Sequence, residues 1–254
     1  MMKIFLFVDG WVGSQVLKHL RSNNEDIVGI AVHPPEARNN FDEIIKYSKL
    51  SADRVHTVGN KPEKKFIDYL NKIQPDIILV VSWTYLLKKS IYEVPINGCL
   101  NFHMSYLPFN RGKKPNVWSI IEDTPAGVSI HYIDSGIDSG KILFRKKVYV
   151  EIIDTAKTLY AKQLDAIVSL FKESWPNIRN DDIKPIDNIL EEGTFHLDEE
   201  FKKLEEINLN DKYYPMELIN QIRAKTFKPH AGTYFIHKGQ KVFVHIELTY
   251  GDKI

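Results

Sequence analysis

The chain has almost no cysteine. Cys99 stands alone among 254 residues, which excludes an internal disulfide and suits a reducing, cytoplasmic compartment. Long apolar runs are also missing. None reaches the roughly 18 residues that a membrane span needs, and the run at residues 4–8 is shorter than a signal peptide's core. No membrane partner is expected. Charge of one sign is absent too: 34 Lys and Arg meet 33 Asp and Glu, for a formal net charge of +1. That balance gives no general attraction to nucleic acid. The nine histidines are scattered without metal-ligand spacing, so no metal is expected.

What is present is alternation. Residues 4–8, 27–32, 54–58 and 77–81 read as strands. Between them Val16, Leu17 and Leu20, then Phe41, Ile44 and Ile45, then Phe66, Ile67 and Leu70 recur at helical spacing. A strand entering at Gly98-Cys99-Leu100, another at 142–150 and a long amphipathic helix from Leu159 to about Trp175 follow. The pattern predicts an α/β fold with a doubly wound, mostly parallel sheet over residues 1–185. The polar stretch 176–187 reads as a linker. Residues 186–254 read as a small appendage with a helix near 216–223 and a hairpin about Lys238-Gly239-Gln240. Asp9-Gly10-Trp11-Val12-Gly13-Ser14 follows the first strand without forming Gly-x-Gly-x-x-Gly. It reads as a tight strand-to-helix turn or as a phosphate-contacting helix start.

The chemistry concentrates in residues 98–140. Asn101 and His103 are two apart, so on a strand they share one face. Pro108 and Gly112 then end regular structure. Strand ends of this kind open onto the ligand crevice of an α/β sheet. An amide donates to a developing oxyanion, and an imidazole donates or takes a proton from an attacking amine. Asp138 lies in Gly136-Ile137-Asp138-Ser139-Gly140; a carboxylate near His103 would fix its tautomer and favour its charged form. Taken singly, the Asn-x-His pair is an ordinary polar strand end and the Gly-x-Asp-x-Gly an ordinary turn.

Together, Asn101, His103, Ser105, Leu107, Pro108, Gly112 and the later Asp138 resemble the pattern of the formyltransferase family that uses 10-formyltetrahydrofolate. The resemblance covers roughly residues 3–175. Met104 stands where many relatives carry proline, which bears on the shape of the acceptor site. The resemblance implies a Rossmann-like core, 10-formyltetrahydrofolate as co-substrate, and catalysis by Asn101, His103 and Asp138. It implies donor contacts from Trp83, Leu86, Leu87, Ile91, Asp134 and Gly136. It implies acceptor contacts from Trp11, Met104, Tyr106, Arg111, Lys113, Lys114, Asn116, Phe227 and Tyr234.

The acceptor is read from the tail. Residues 191–254 carry nine basic against eleven acidic residues, a poor surface for tRNA, and the hairpin is too short for the barrel of tRNA formyltransferases. Thr194-Phe195-His196 and the stretch from Arg223 to Phe235 are similar to bacterial enzymes that formylate a nucleotide-linked amino sugar, with dTDP the first choice and surface polysaccharide (the O-antigen of lipopolysaccharide) the destination. Aromatic rings there can stack a base, and Arg or Lys can pair with a diphosphate; equally, the aromatics pack the hairpin on the core. The alternatives are a methionyl-tRNA or glycinamide ribonucleotide formyltransferase, and a non-catalytic folate or nucleotide-sugar binding protein. Phe235, Val242, Phe243 and Val244 exceed what an isolated hairpin buries, which predicts packing on the core or a homodimer.

Overall fold

The structure, a computed structural model, describes residues 1–252. The last two positions of the expected appendage lie outside the described residues. The first half runs β1 (Lys3–Val8), α1 (Gly10–Ser22), β2 (Asp26–Val32), α2 (Phe41–Ser48), β3 (Val55–Thr57), α3 (Lys64–Ile73), β4 (Ile77–Val81), α4 (Lys89–Tyr92) and β5 (Cys99–His103). The second runs β6 (Arg111–Gly112), α5 (Pro115–Ile121), β7 (Gly127–Tyr132), β8 (Ile142–Lys147), α6 (Ala156–Arg179), β9 (Phe195–His196), α7 (Asp198–Lys203), α8 (Pro215–Lys225), β10 (Thr233–His237) and β11 (Gln240–Val244).

Seven strands make one sheet, in the order β3-β2-β1-β4-β5-β7-β8. The pairs among β1 to β5 are parallel, and β7 runs antiparallel to β5. The order reverses between β1 and β4, which makes the sheet doubly wound and mostly parallel. Ile4, Phe5, Leu6, Phe7 and Val8 are fully buried, as are Ile78, Leu79 and Val81. Strands covered on both faces carry such unbroken apolar runs. Each of these side chains contributes about 1.5–3 kcal/mol on burial.

The chain divides into two compact units, neither continuous in sequence. Unit 1 comprises Met1–His103, Ser129–Phe144 and Ile167–Asn188. Unit 2 comprises Met104–Val128, Arg145–Ala166 and the residues from Ile189 onward. A single cut at 185/186 therefore misses that 104–128 and 145–166 fold with the tail. Unit 1 has the larger core, centred on Phe5, Phe7, Leu70, Ile78 and Val80. Unit 2 packs Val117, Ile120, Ala156, Leu159 and Ala224 and adds polar ties. Buried Arg223 donates to the carbonyls of Glu151, Ile152 and Asp154 at 3.0–3.3 Å, while Lys162 reaches Glu151 and Asp154 at 2.7 Å each.

Two further expectations are corrected, and one strand goes unread in the sequence. The stretch 176–187 is not a loose linker. Pro176 lies inside α6, and Ile186 exchanges two backbone hydrogen bonds of 2.9 Å with Ile142. β8 ends at Lys147, short of 150. An unexpected strand, β7, lies beside β5. The hairpin of β10 and β11 forms as read, turning at Lys238 and Gly239.

Candidate active site at the end of strand β5

The antiparallel ladder of β5 and β7 pairs Asn101 with His131 and His103 with Ser129. Because side chains alternate along a strand, these four polar residues share one face at the carboxyl end of β5. Asp138 completes the cluster from the turn after β7. Its Oδ1 lies 3.3 Å from Asn101 Nδ2, 3.6 Å from His103 Nδ1 and 3.5 Å from His131 Nε2. The His103 and Asp138 side chains are 10% and 12% exposed, so water screens their interaction weakly.

His131 sets the polarity of the cluster. Its Nδ1 lies 2.8 Å from the Tyr132 carbonyl oxygen. A carbonyl only accepts, so Nδ1 carries a proton. In the neutral ring Nε2 then accepts from Asn101 Nδ2 at 3.2 Å. One amide group thus donates to His131 and to Asp138. At 3.3 Å the Asp138 contact is long for a donor facing a carboxylate, and that N–H is the more easily transferred to another acceptor. No expectation from sequence included His131. Its signal is the polar alternation of Ser129 and His131 between buried Val128 and Ile130.

The turn that carries Asp138 is tightly specified. Asp138 itself has φ +49°, an uncommon conformation for a non-glycine residue. Its carbonyl accepts from Asn188 Nδ2 at 2.9 Å. A side chain at Gly136 would strike the Ser139 hydroxyl, and one at Gly140 the Tyr132 carbonyl, so both positions need the close approach that glycine allows. Asp134 Oδ1 accepts from the Gly136 amide at 3.0 Å and from Ser139 Oγ at 2.5 Å.

The expected donor residues all fall in unit 1. Trp83 and Leu87 pack against its core, partly buried, while Ile91 is fully buried within it, a packing position. Leu86 is 71% exposed. A cleft of about 460 Å³ lies at the amino end of β5, lined by Lys89, Tyr92, Glu93, Gly98, Cys99, Tyr132, Ile133, Asp134 and Ser135; Asn101, His103 and Asp138 do not line it. Burial raises the Cys99 thiol far above its usual range, so it is not a nucleophile.

Among the expected acceptor residues, Trp11 is part-exposed on α1 in unit 1. The others lie in unit 2. Met104 offers its carbonyl to Gln163 Nε2 at 2.9 Å. The Tyr106 ring lies under Arg145 at 4.5 Å and Lys147 at 5.4 Å. Arg111 lies in β6, over the Phe195 ring, and the Lys113 amide donates to the His196 carbonyl. Lys114 caps α5. Asn116 is buried and donates to the Ala156 carbonyl at 2.9 Å, and Phe227 packs beside Tyr160; both are structural ties. The Tyr234 hydroxyl donates to Glu206 at 3.2 Å. No group of three or more metal-ligating side chains occurs among the described residues, and no helix among them is long and apolar enough to cross a membrane.

Comparison with known proteins matches this arrangement to one family. Residues 2–174 match the model described as formyl transferase, and residues 200–250 match an N-formyltransferase dimerization C-terminal domain. A methionyl-tRNA formyltransferase of Clostridioides difficile is 30% identical over 68% of this chain and 58% of its own length. A dTDP-4-amino-4,6-dideoxyglucose formyltransferase of Mycobacterium tuberculosis is 32% identical over 59% of this chain and 64% of its own. The chain thus spans roughly three fifths of the curated relatives it matches. A crystal structure of a 4-N formyltransferase from Francisella tularensis superposes with TM-score 0.82 at 27% identity, covering 98% of each chain. The formyltransferase PseJ of Anoxybacillus kamchatkensis, solved with UDP-4,6-dideoxy-4-formamido-L-AltNAc and tetrahydrofolate, superposes with TM-score 0.62 at 29% identity over 88% of this chain and 98% of its own. With more than half its length under one model, and an amide, an imidazole and a carboxylate converging at the end of β5, the chain belongs to the formyl transferase family.

Proposed function

We propose that this chain is a cytoplasmic N-formyltransferase. It moves the formyl group of 10-formyltetrahydrofolate to the amine of a nucleotide-linked amino dideoxy sugar, with dTDP as the nucleotide, for surface polysaccharide such as O-antigen. The observation that carries this reading is the convergence of Asn101, His103 and Asp138 within 3.6 Å contacts on the β5 end. The amine nitrogen bonds to the formyl carbon as the bond from that carbon to the donor nitrogen breaks. The Asn101 N–H now shared with Asp138 turns to the developing oxyanion. His103 takes the proton lost by the amine and delivers it to the leaving donor nitrogen. Asp138 stabilises the imidazolium in between. Trp83, Leu86, Leu87 and the 134–136 turn serve the donor.

Support for a sugar acceptor comes from structural coverage. The Francisella tularensis 4-N formyltransferase structure covers 98% of both chains; sequence coverage does not separate the acceptors, since a methionyl-tRNA formyltransferase matches over 72% of its own length and the dTDP-sugar enzyme over 64%. The tail's excess of acidic residues also opposes a phosphate backbone. For acceptor binding we propose Trp11, Met104, Tyr106, Arg111, Lys113, Lys114 and Tyr234, leaving out the buried Asn116 and the packed Phe227. A homodimer follows from the dimerization domain match and from Ile236, Val242 and Phe243, which stand 44%, 39% and 49% exposed on the hairpin. The test supplies 10-formyltetrahydrofolate with dTDP-, UDP- and GDP-linked amino sugars and with methionyl-tRNA, and reads the product by mass. A formyl group on the dTDP-linked 4-amino sugar is expected. Formylation of methionyl-tRNA with none on any sugar would overturn the reading.

A further inference from the structure

His33 immediately follows β2 and is fully buried, yet no step of the proposed chemistry uses it. Three consecutive residues of the loop after β4 converge on its ring. Trp83 stacks on it at 3.8 Å and 11°. Tyr85 meets it edge-on at 4.9 Å. Between them, Thr84 brings its hydroxyl to 2.8 Å and its backbone N–H to 3.4 Å of His33 Nε2. A backbone N–H can only donate, so Nε2 is an acceptor and the neutral ring carries its proton on Nδ1. Burial lowers the His33 pKa, opposed more weakly by the Asp9 carboxylate. The neutral ring that the loop requires is therefore the favoured form at pH 7. Phe7 meets Trp83 edge-on at 5.2 Å. The loop needs such a clamp because it is irregular: Ser82 has φ +55° and no regular element begins before Lys89.

We propose that His33 is a positioning residue for the donor: it fixes Trp83 through Tyr85 in the conformation that accepts 10-formyltetrahydrofolate. This inference rests on the reading of that loop as the donor site. Two variants separate its parts. His33→Phe keeps a ring to stack on Trp83 and loses the acceptor; His33→Gln restores a polar side chain without the stack.

The experiment measures KM for 10-formyltetrahydrofolate and for the amino sugar, together with kcat, in His33→Phe, His33→Gln and Trp83→Ala. His33→Phe is expected to raise the donor KM roughly 3–10-fold, the scale of one lost hydrogen bond. The acceptor KM and kcat should stay within about twofold, and His33→Gln should recover part of the loss. If Trp83→Ala raises the donor KM and neither His33 variant does, the inference fails alone. If Trp83→Ala leaves the donor KM at its wild-type value, the donor-loop reading fails and the inference with it. Equal changes in both KM values and kcat would mark His33 as a merely structural residue and overturn the proposal.

Discussion

Each unit holds a buried histidine against a carboxylate, and the two differ in surroundings. In unit 1, His103 faces Asp138 at 3.6 Å beside an amide and a second histidine. It ends a strand that shares its polar face with β7. In unit 2, His196 lies between Glu122 at 3.1 Å and Glu200 at 3.3 Å, with its ring stacked on Trp118 at 3.9 Å and 11°. Both carboxylate partners and the stack hold the His196 ring in place, and its partners among the described residues are carboxylates and an indole. A histidine–carboxylate pair is thus no signature of catalysis by itself. The open end of a parallel strand and an adjacent oxyanion donor make the difference.

The largest expected effect tests that contrast directly. His103→Ala should lower kcat roughly 10³-fold, the scale of losing a general base, with its melting temperature nearly unchanged. His196→Ala should lower the melting temperature and leave kcat within about twofold. Comparable losses of turnover in both would erase the distinction.

The units also hold themselves together differently. Unit 1 relies on unbroken apolar strands, so Leu79→Ala should cost about 2–5 kcal/mol through the cavity it leaves. Unit 2 relies on polar ties. Arg223→Met should cost about 3 kcal/mol, because three carbonyls lose their donor at once. Urea unfolding monitored at each unit measures both. A near-neutral Arg223→Met would show that packing alone suffices in unit 2.

The pH dependence of stability should separate them again. Burial lowers the pKa of His33 and His56 in unit 1. The folded state then binds fewer protons than the unfolded one just below the ordinary histidine value of about 6.5. Their contribution is present above that pH and is lost as pH falls through the window beneath it. In unit 2 burial lowers the pKa of Lys225, so the same rise of stability with pH should appear in an alkaline window, as pH climbs toward the ordinary lysine value of about 10.4. His56→Phe should flatten the acid limb only, and Lys225→Met the alkaline limb only. The smallest effect is Lys162→Ala, about 1 kcal/mol, because Lys162 and Glu151 are 37% and 38% exposed and buried Asp154 keeps the Glu151 N–H and the Thr158 hydroxyl as donors.

Much of unit 1 is legible in the sequence. β1 and β4 are continuous apolar runs, and strands buried on both faces can be nothing else at that length. Asn101 and His103 are legible as well, since period-two spacing alone puts them on one face. β7 escapes a reading by apolar runs because Ser129 and His131 interrupt it; a reading by alternation finds it, and His131 with it. Asn188 has no local signal. It lies just past the stretch that looks like a linker, and its hold on the Asp138 turn exists only after the chain folds back. The ties of unit 2 are equally silent, since a buried arginine such as Arg223 looks like any solvent-facing residue of α8 until its three carbonyl partners are brought to it.

The most direct test compares binding with turnover in Asp138→Asn. Calorimetric titration with tetrahydrofolate and with dTDP should give dissociation constants within about twofold of wild type, while formyl transfer falls roughly 10²–10⁴-fold, because the carboxylate acts on the proton transfer and not on ligand affinity. Asp138→Asn that binds both ligands and turns over at the wild-type rate would contradict the placement of the chemistry at the end of β5.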